Sequence, residues 1–404
     1  MQHPHDNACA ASPKKLTIGV LYGFRALMVL IVCHFHIWQQ SWLSQTFIVF
    51  GQRLELDFLA RSGYMFVDGM ILMSGFLLFL PYAREKAEGI PAPGWRDYAF
   101  NRATRILPSY WLAVFGALFL IAIPQHKYVT SERMALDIIH HLTFTFNFWR
   151  ETLLYTPLNG ALWTVAVEVQ FYLIFPFLAR AAQKKPVLTL GLMTACGVIF
   201  RFVVAGQVED TSVLINQLPS FMDVYALGML GAMLYVQWRK APFFHSGWQK
   251  KVFPWVFAGI FALSLPILVA LLKQQASATG FEPIRLSQMA LRFPFALTIL
   301  VLMFSAAMMP RFLQKLLNNR LLRFLSTISF HLYIWHQLLA VQIRQAFFPD
   351  TLHSNLPLQQ AYTLLCFAAA ILIAMLATYG VEQPCARIAQ KWRSKRKEKV
   401  EQKA

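Results

Sequence analysis

Arg25 and His36 stand in one apolar stretch, Ile18 to Trp38, with the sequence IGVLYGFRALMVLIVCHFHIW. A stretch of about 20 apolar residues is long enough to cross a bilayer. A charge near the bilayer centre costs at least about 2.5–3.5 kcal/mol. A stretch that keeps Arg25, His34 and His36 therefore gives them a protein interior or a wet cavity. Eleven residues separate Arg25 from His36, roughly 16 Å of helix and close to three turns, so both side chains point to one face. An imidazole can take a proton from a hydroxyl near neutral pH, and a carboxylate beside it can orient it. A guanidinium grips phosphate through paired hydrogen bonds. An inward phosphate grip and an outward base suit two substrates arriving from opposite faces, a phosphate-bearing donor and a hydroxyl acceptor.

Other ionisable residues fall into the same pattern. Asp68 lies in GYMFVDGMILMSGFLL, Glu168 in NGALWTVAVEVQFYLIFP and Asp223 in LPSFMDVYALGMLGA, each in the outer part of its apolar run. His336 sits in STISFHLYIWHQLL with His331 deeper, and Arg102 and Arg105 head an inner end in FNRATRILPSYW. Each has a structural reading as well. Asp68 and Asp223 can pair with an arginine and hold helices together. His331 and His336 can be hydrogen-bonding glue between helices. His34 reads as a packing group in preference to the base, and Arg102 and Arg105 can be plain topology anchors. Tyr333 and Trp335 read as packing, Glu382 as a pin for the last exit loop, and Ser74-Gly75 as a close helix contact. No Gly-x-Ser-x-Gly elbow, phosphate loop or zinc-ligand set is present in the sequence.

Positioning these groups takes many membrane spans. The 404 residues are 57% hydrophobic and 14% charged, against about 25% charged in ordinary soluble domains. The expected fold is all-α and polytopic, with about ten transmembrane helices near 17–38, 63–82, 108–124, 161–180, 187–205, 218–238, 252–272, 289–309, 324–343 and 359–380. The stretch 136–149 reads as a surface or re-entrant helix. If both termini are cytoplasmic, 26 of the 37 lysines and arginines fall in inside segments and nine, Arg292 among them, in outside loops. That asymmetry is the positive-inside pattern. It also accounts for the net charge of +18 without nucleic acid, for which no recognition module appears. The five cysteines form no Cys-x-x-Cys pair, so neither a disulfide framework nor a metal site is expected. Residues 1–15 read as a polar segment ahead of a retained anchor, 16–390 as the membrane domain, and 391–404 as a basic cytoplasmic tail touching anionic headgroups.

In this order the motifs resemble the acyltransferase-3 family of multi-pass membrane O-acyltransferases. The resemblance runs from Arg25 and His36 through GYMFVDGMILMSGFLL, RDYAFNRATRILPSYW, LNGALWTVAVEVQFYLIFP, LPSFMDVYALGMLGA and RFLSTISFHLYIWH to VEQP, about residues 16 to 390. It implies transfer of an acyl group, often acetyl, from cytoplasmic acyl-coenzyme A to a hydroxyl of an extracytoplasmic carbohydrate, glycolipid or other envelope acceptor. It places the protein in the cytoplasmic (inner) membrane. It implies His36 in the catalytic role and Arg25, Arg102 and Arg105 at the coenzyme, with Glu168 in or beside the site. His34 departs from the bare family pattern by adding a second imidazole.

The resulting expectation gives catalysis to His36 with Glu168 or Asp68, donor binding to Arg25, Arg102 and Arg105, and substrate contacts to His34, Trp163, Asp223 and His336. Some relatives carry an added extracellular esterase-like domain; this chain, ending on a basic tail, is expected to act alone or to hand its product on. The rival reading is a secondary transporter of a small polar or anionic solute, since ionisable residues within spans also serve as relays there. Against it, no inverted repeat is visible in the sequence.

Overall fold

The computed structural model describes residues 16–348, 352–353 and 355–401. The expected segment 1–15 lies outside them. The helices in chain order are α1 (Val20–Ser41), α2 (Asp57–Ser62), α3 (Phe66–Glu88), α4 (Trp95–Ala117), α5 (Ser131–Leu142) and α6 (Arg150–Leu154). They continue with α7 (Trp163–Lys184), α8 (Pro186–Gln207), α9 (Met222–Lys240), α10 (Gln249–Ser277) and α11 (Phe281–Met308). The last are α12 (Arg311–Leu317), α13 (Arg320–Phe347), α14 (Leu356–Ala377) and α15 (Gln383–Glu401).

A long helix stands at each of the ten expected spans. Among the described residues nine are long and apolar enough to cross a membrane. The tenth, α13, is 28 residues long but carries His331, His336, three arginines and three glutamines, so apolarity alone does not mark it. Its start is fixed locally: the Asn319 side chain accepts from the Leu322 amide at 2.9 Å, which satisfies a free N–H of the first turn. Asn355 caps α14 in the same way, with Pro357 in the first turn.

Span edges differ from the sequence reading in two places. The third span begins at Trp95, not near 108, because Arg96, Arg102 and Arg105 extend a helix and not a loop. The last does not end near 380. It passes through a π-helical turn at Thr378–Glu382 into α15. An extra residue in a turn re-aims the side chains around it, and this one brings Glu382 beside α13. Arg292, counted with the outside loops, lies inside α11 and is fully buried.

Connecting segments alternate between two ends. At the basic end, Lys86 donates to the Gln183 carbonyl at 2.6 Å, Arg180 pairs with Glu85 at 2.5 Å, and Arg393 of α15 pairs with Asp97 of α4. At the opposite end the Gln359 amide donates to the Ser41 carbonyl at 2.9 Å, Thr211 to Glu282 at 2.9 Å and Gln125 to Gln342 at 2.6 Å. The short α5 and α6 lie at this second end, as the 136–149 stretch suggests. Asp137 of α5 is buried there. Burial would push its carboxyl up, but hydrogen bonds from His141, Tyr128 and Thr156 outweigh that and hold it below the usual carboxylate range. The sequence reading missed an exposed two-stranded hairpin, β1 (Thr46–Val49) and β2 (Gln52–Glu55), that turns through Phe50 and Gly51 at positive φ.

The centre of the bundle is α3 against α9, where Gly75 meets the Tyr225 backbone and Gly228 meets the Leu72 carbonyl. A methyl group at either site would collide with that backbone, so these glycines set the close approach. Around this centre, α8, α10 and α14 turn large apolar side chains such as Phe202, Leu263 and Leu372 outward. Such faces suit acyl chains as their solvent.

Candidate active site

Helices α1, α3, α4, α7 and α13 line a partly open cavity of about 100 Å³. Its polar groups are Arg25, Ser74, Arg105, Thr164, Glu168, Ser329 and Tyr333, set in an apolar wall that includes Val29 and Met70. The Ser74 hydroxyl donates to Glu168 Oε1 at 2.5 Å, and Thr164 donates to the Tyr333 hydroxyl at 2.9 Å. The start of α7 is tied to α13 through Asn159, whose side chain donates to the Ile334 carbonyl at 2.8 Å and accepts from Ala161 N–H at 3.1 Å. Arg25 has Arg105, Glu168, Tyr172 and Arg102 as its charged or polar neighbours. Among the described residues, neither the Arg25 nor the Arg105 guanidinium makes a hydrogen bond or ion pair. Two cations facing a cavity without committed partners suit an anionic ligand.

Arg102, one turn from Arg105, does not line this cavity. Its guanidinium lies over the rings of Tyr98 and Tyr172, 5.9 and 5.7 Å from their centres. His331 bonds Ser109 Oγ through Nε2 at 3.0 Å and lies 3.5 Å from Glu382 Oε2. Glu382 is therefore part of the polar interior and not only a pin at the exit loop.

His36 lies toward the second end of α1, where α1 packs along α13. His36 Nδ1 is 3.0 Å from His336 Nε2 and 3.1 Å from the Val32 carbonyl. His336 Nδ1 lies 2.6 Å from the Tyr333 carbonyl and 3.2 Å from that of Leu332. Both nitrogens of His336 are thus engaged within the protein, and the ring is buried. That geometry turns both His336 nitrogens toward protein atoms. The histidine pair does not line the Arg25 cavity. Tyr333 lines the cavity and also sits 5.6 Å, ring to ring, from His336. One aromatic side chain thus stands between the two.

The remaining expected residues are elsewhere. His34 stacks on Phe367 of α14 at 6.2 Å, on the other side of α1, so the two imidazoles face different helices. Trp163 packs on Phe221 at 5.8 Å. Asp68 is fully buried and pairs with Arg292 at 3.3 Å. Asp223 is gripped by both terminal nitrogens of Arg201 at 2.8 and 2.5 Å. Arg292 also bonds Ser220 Oγ at 2.5 Å and lies over the Phe221 ring at 4.0 Å. The structure brings Arg25, Arg105 and Glu168 together, and His36 with His336. It commits Asp68 and Asp223 to arginines. Ser74 and Thr164 went unrecognised as site residues; a hydroxyl beside a glycine in an apolar run carries no signal that it faces a carboxylate 94 positions away. Among the described residues no group of three His, Cys, Asp or Glu is placed to hold a metal ion.

The fold and the site define a multi-pass α-helical membrane protein with a polar cavity buried among its helices. The chain belongs to the acyltransferase-3 family, whose profile, described as an acyltransferase domain, matches residues 21–379. It is similar to a Bacillus subtilis (strain 168) protein provisionally named peptidoglycan O-acetyltransferase YrhL, with 25% identity over 338 residues, 78% of this chain and 47% of that one. A provisionally named O-acetyltransferase of Staphylococcus aureus (strain COL) is 24% identical over 349 residues, 78% of this chain and 49% of that one. A provisionally named acetyltransferase of Acidianus two-tailed virus is 23% identical over 329 residues, 80% of this chain and 82% of that one. The chain spans about half the length of the first two relatives. No solved structure matches it.

Proposed function

We propose that this chain is an O-acyltransferase that takes an acyl group, acetyl in the simplest case, from acyl-coenzyme A and passes it to a hydroxyl of an envelope carbohydrate or glycolipid. The supporting observation is the arrangement along α1: two uncommitted guanidiniums at one level and an imidazole about 16 Å further along the same helix face. Arg25 and Arg105 hold the donor's phosphates, with Arg102 beside them. The basic end faces the cytoplasm, as the positive-inside rule directs, and the membrane is the inner one. Membership of the acyltransferase-3 family and the names of its relatives favour this over a transporter.

The acceptor approaches from the opposite end. A polar cleft there, lined by Gln39, Gln40, Arg344, Gln345, Phe348 and His353, begins one turn beyond His36. Amide and guanidinium groups around an aromatic ring suit a polyhydroxylated ligand. His36 accepts the hydroxyl proton as the oxygen attacks the thioester carbonyl. Collapse of the adduct breaks the carbon–sulfur bond, and the imidazolium returns the proton to the departing thiolate. For the thioester to meet His36, the Tyr333 ring must turn aside from Thr164. Glu168, oriented by Ser74, balances the charge of Arg25. Asp68 and Asp223 brace the helices.

The test is purified protein in proteoliposomes with radiolabelled acetyl-coenzyme A and an envelope glycan fraction. Alkali-labile label on the glycan is expected, with His36→Ala reducing it by at least about a hundredfold while the protein still inserts. Undiminished transfer by that variant would remove His36 from the mechanism. Uptake of solute without acylation would favour the transporter.

A further inference from the structure

Hydrogen-bond donors and acceptors around His36 can be assigned one by one. A neutral imidazole carries one N–H and one lone pair, and its surroundings decide which nitrogen holds which. His336 Nδ1 faces two carbonyl oxygens, at 2.6 and 3.2 Å. Carbonyls only accept, so this nitrogen carries the hydrogen. His336 Nε2 then has the lone pair, and it points at His36 Nδ1 at 3.0 Å. His36 Nδ1 also faces the Val32 carbonyl at 3.1 Å. Both of its neighbours accept, so His36 Nδ1 donates, shared between them. The lone pair of His36 is therefore on Nε2. The reverse assignment would aim lone pairs at each other in three places. A charged His336 would bury a cation beside two apolar helices.

We propose that His336 is a positioning residue: its Nε2 accepts the His36 Nδ1–H and so holds the ring with the Nε2 lone pair presented for reaction. This rests on the reading of His36 as the base. The arrangement has the logic of an orienting group behind a catalytic imidazole, with a second imidazole in place of the more usual carboxylate. It also gives a use to a polar residue in the middle of α13. His34 cannot substitute, because its ring is turned to Phe367. Among the described residues, the only other ring packed on His36 is that of Phe35, at 4.8 Å, which offers no acceptor. Once Nε2 has taken the acceptor's proton, the Nδ1–H bond to His336 strengthens, because a charged donor bonds more tightly.

Two measurements test this. The first needs no substrate. Nitrogen-15 spectra of histidine-labelled protein in nanodiscs, with the His36 signals identified by their loss in His36→Ala, are expected to show Nδ1 protonated and Nε2 bare. The opposite tautomer overturns the proposal, and it does so whether or not the protein transfers acyl groups. The second is kinetic. His336→Leu keeps an apolar side chain but removes the acceptor. It is expected to lower kcat roughly a hundredfold with KM for acetyl-coenzyme A unchanged. His336→Gln, whose amide oxygen can occupy the place of Nε2, is expected to recover activity to within about tenfold of the parent. Equal activity of the Leu and Gln variants, high or low, would overturn the role. Normal transfer by His36→Ala would instead defeat the functional reading and leave the spectrum to decide the hydrogen-bond assignment.

Discussion

Two groups of charged residues lie inside this bundle, built from the same side chains and arranged to opposite ends. In the first, Arg201 and Arg292 meet Asp223 and Asp68, each cation within 3.3 Å of a carboxylate and all four buried. In the second, Arg25 and Arg105 share a cavity with Glu168, whose nearest hydrogen bond is to Ser74. The first group is charge-balanced, with Ser220 and backbone carbonyls taking donors of Arg201 and Arg292; the buried Arg292 Nη2 is left without a hydrogen bond among the described residues. The second lines its cavity with two guanidiniums and one carboxylate and leaves about 100 Å³ of room. Charge inside a membrane marks function only where it is left uncommitted; where it is matched, it holds helices together.

Breaking the charge-balanced group should have the largest effect on stability. Asp68→Ala leaves Arg292 buried without its carboxylate, which costs about 3–5 kcal/mol. A large fall in the thermal unfolding midpoint of the purified protein is expected. The paired replacement of Asp68 by Leu and Arg292 by Met should recover much of it, since a buried pair is often replaceable by apolar groups of similar volume. An unchanged midpoint for Asp68→Ala would make the two groups alike and return Asp68 to the site.

Arg25→Ala should do the reverse. Stability should shift by no more than about 0.5 kcal/mol, because no ion pair is lost. Affinity for the phosphate-bearing donor should fall about 10- to 100-fold, the value of a charged hydrogen bond or two. This is measured as KM for acetyl-coenzyme A or by direct titration. Arg25→Lys should fall between; if lysine serves equally well, a point charge suffices and forked contact is not needed. The smallest effect belongs to Ser74→Ala. It frees Glu168 to turn toward the arginines, closing the open group slightly, and kcat should drop by at most about tenfold. A loss as large as that of Arg25→Ala would put Ser74 in direct contact with substrate.

Much of the scaffold was legible before any coordinates. Apolar runs marked nine of the helices, and α13 was readable as a span despite its histidines because its flanking arginines and asparagines left a central run of span length. Lys86, Arg180 and Arg393, read as residues of inside segments, do gather at one end. What composition could not reveal was partnership. Asp68 and Arg292 are 224 positions apart, and His36 and His336 are 300 apart. Nothing local to Asp68 distinguishes an acid that faces a cavity from one that faces an arginine. Arg292 was assigned to a loop for the same reason: a lone arginine near a helix end is most simply a solvent-facing residue, until a buried carboxylate claims it. Arg25 and His36 were readable as a pair because both lie on one helix, where spacing alone fixes direction.

That dependence on spacing has a consequence. The 22 residues of α1 run without proline or break, so the helix acts as a rigid ruler and a phase wheel at once. Adding a single residue between positions 25 and 36 would lengthen the ruler by only about 1.5 Å but turn its outer half by about 100°, carrying the imidazole away from His336. In this protein, the angular register of one helix matters more to the chemistry than its reach.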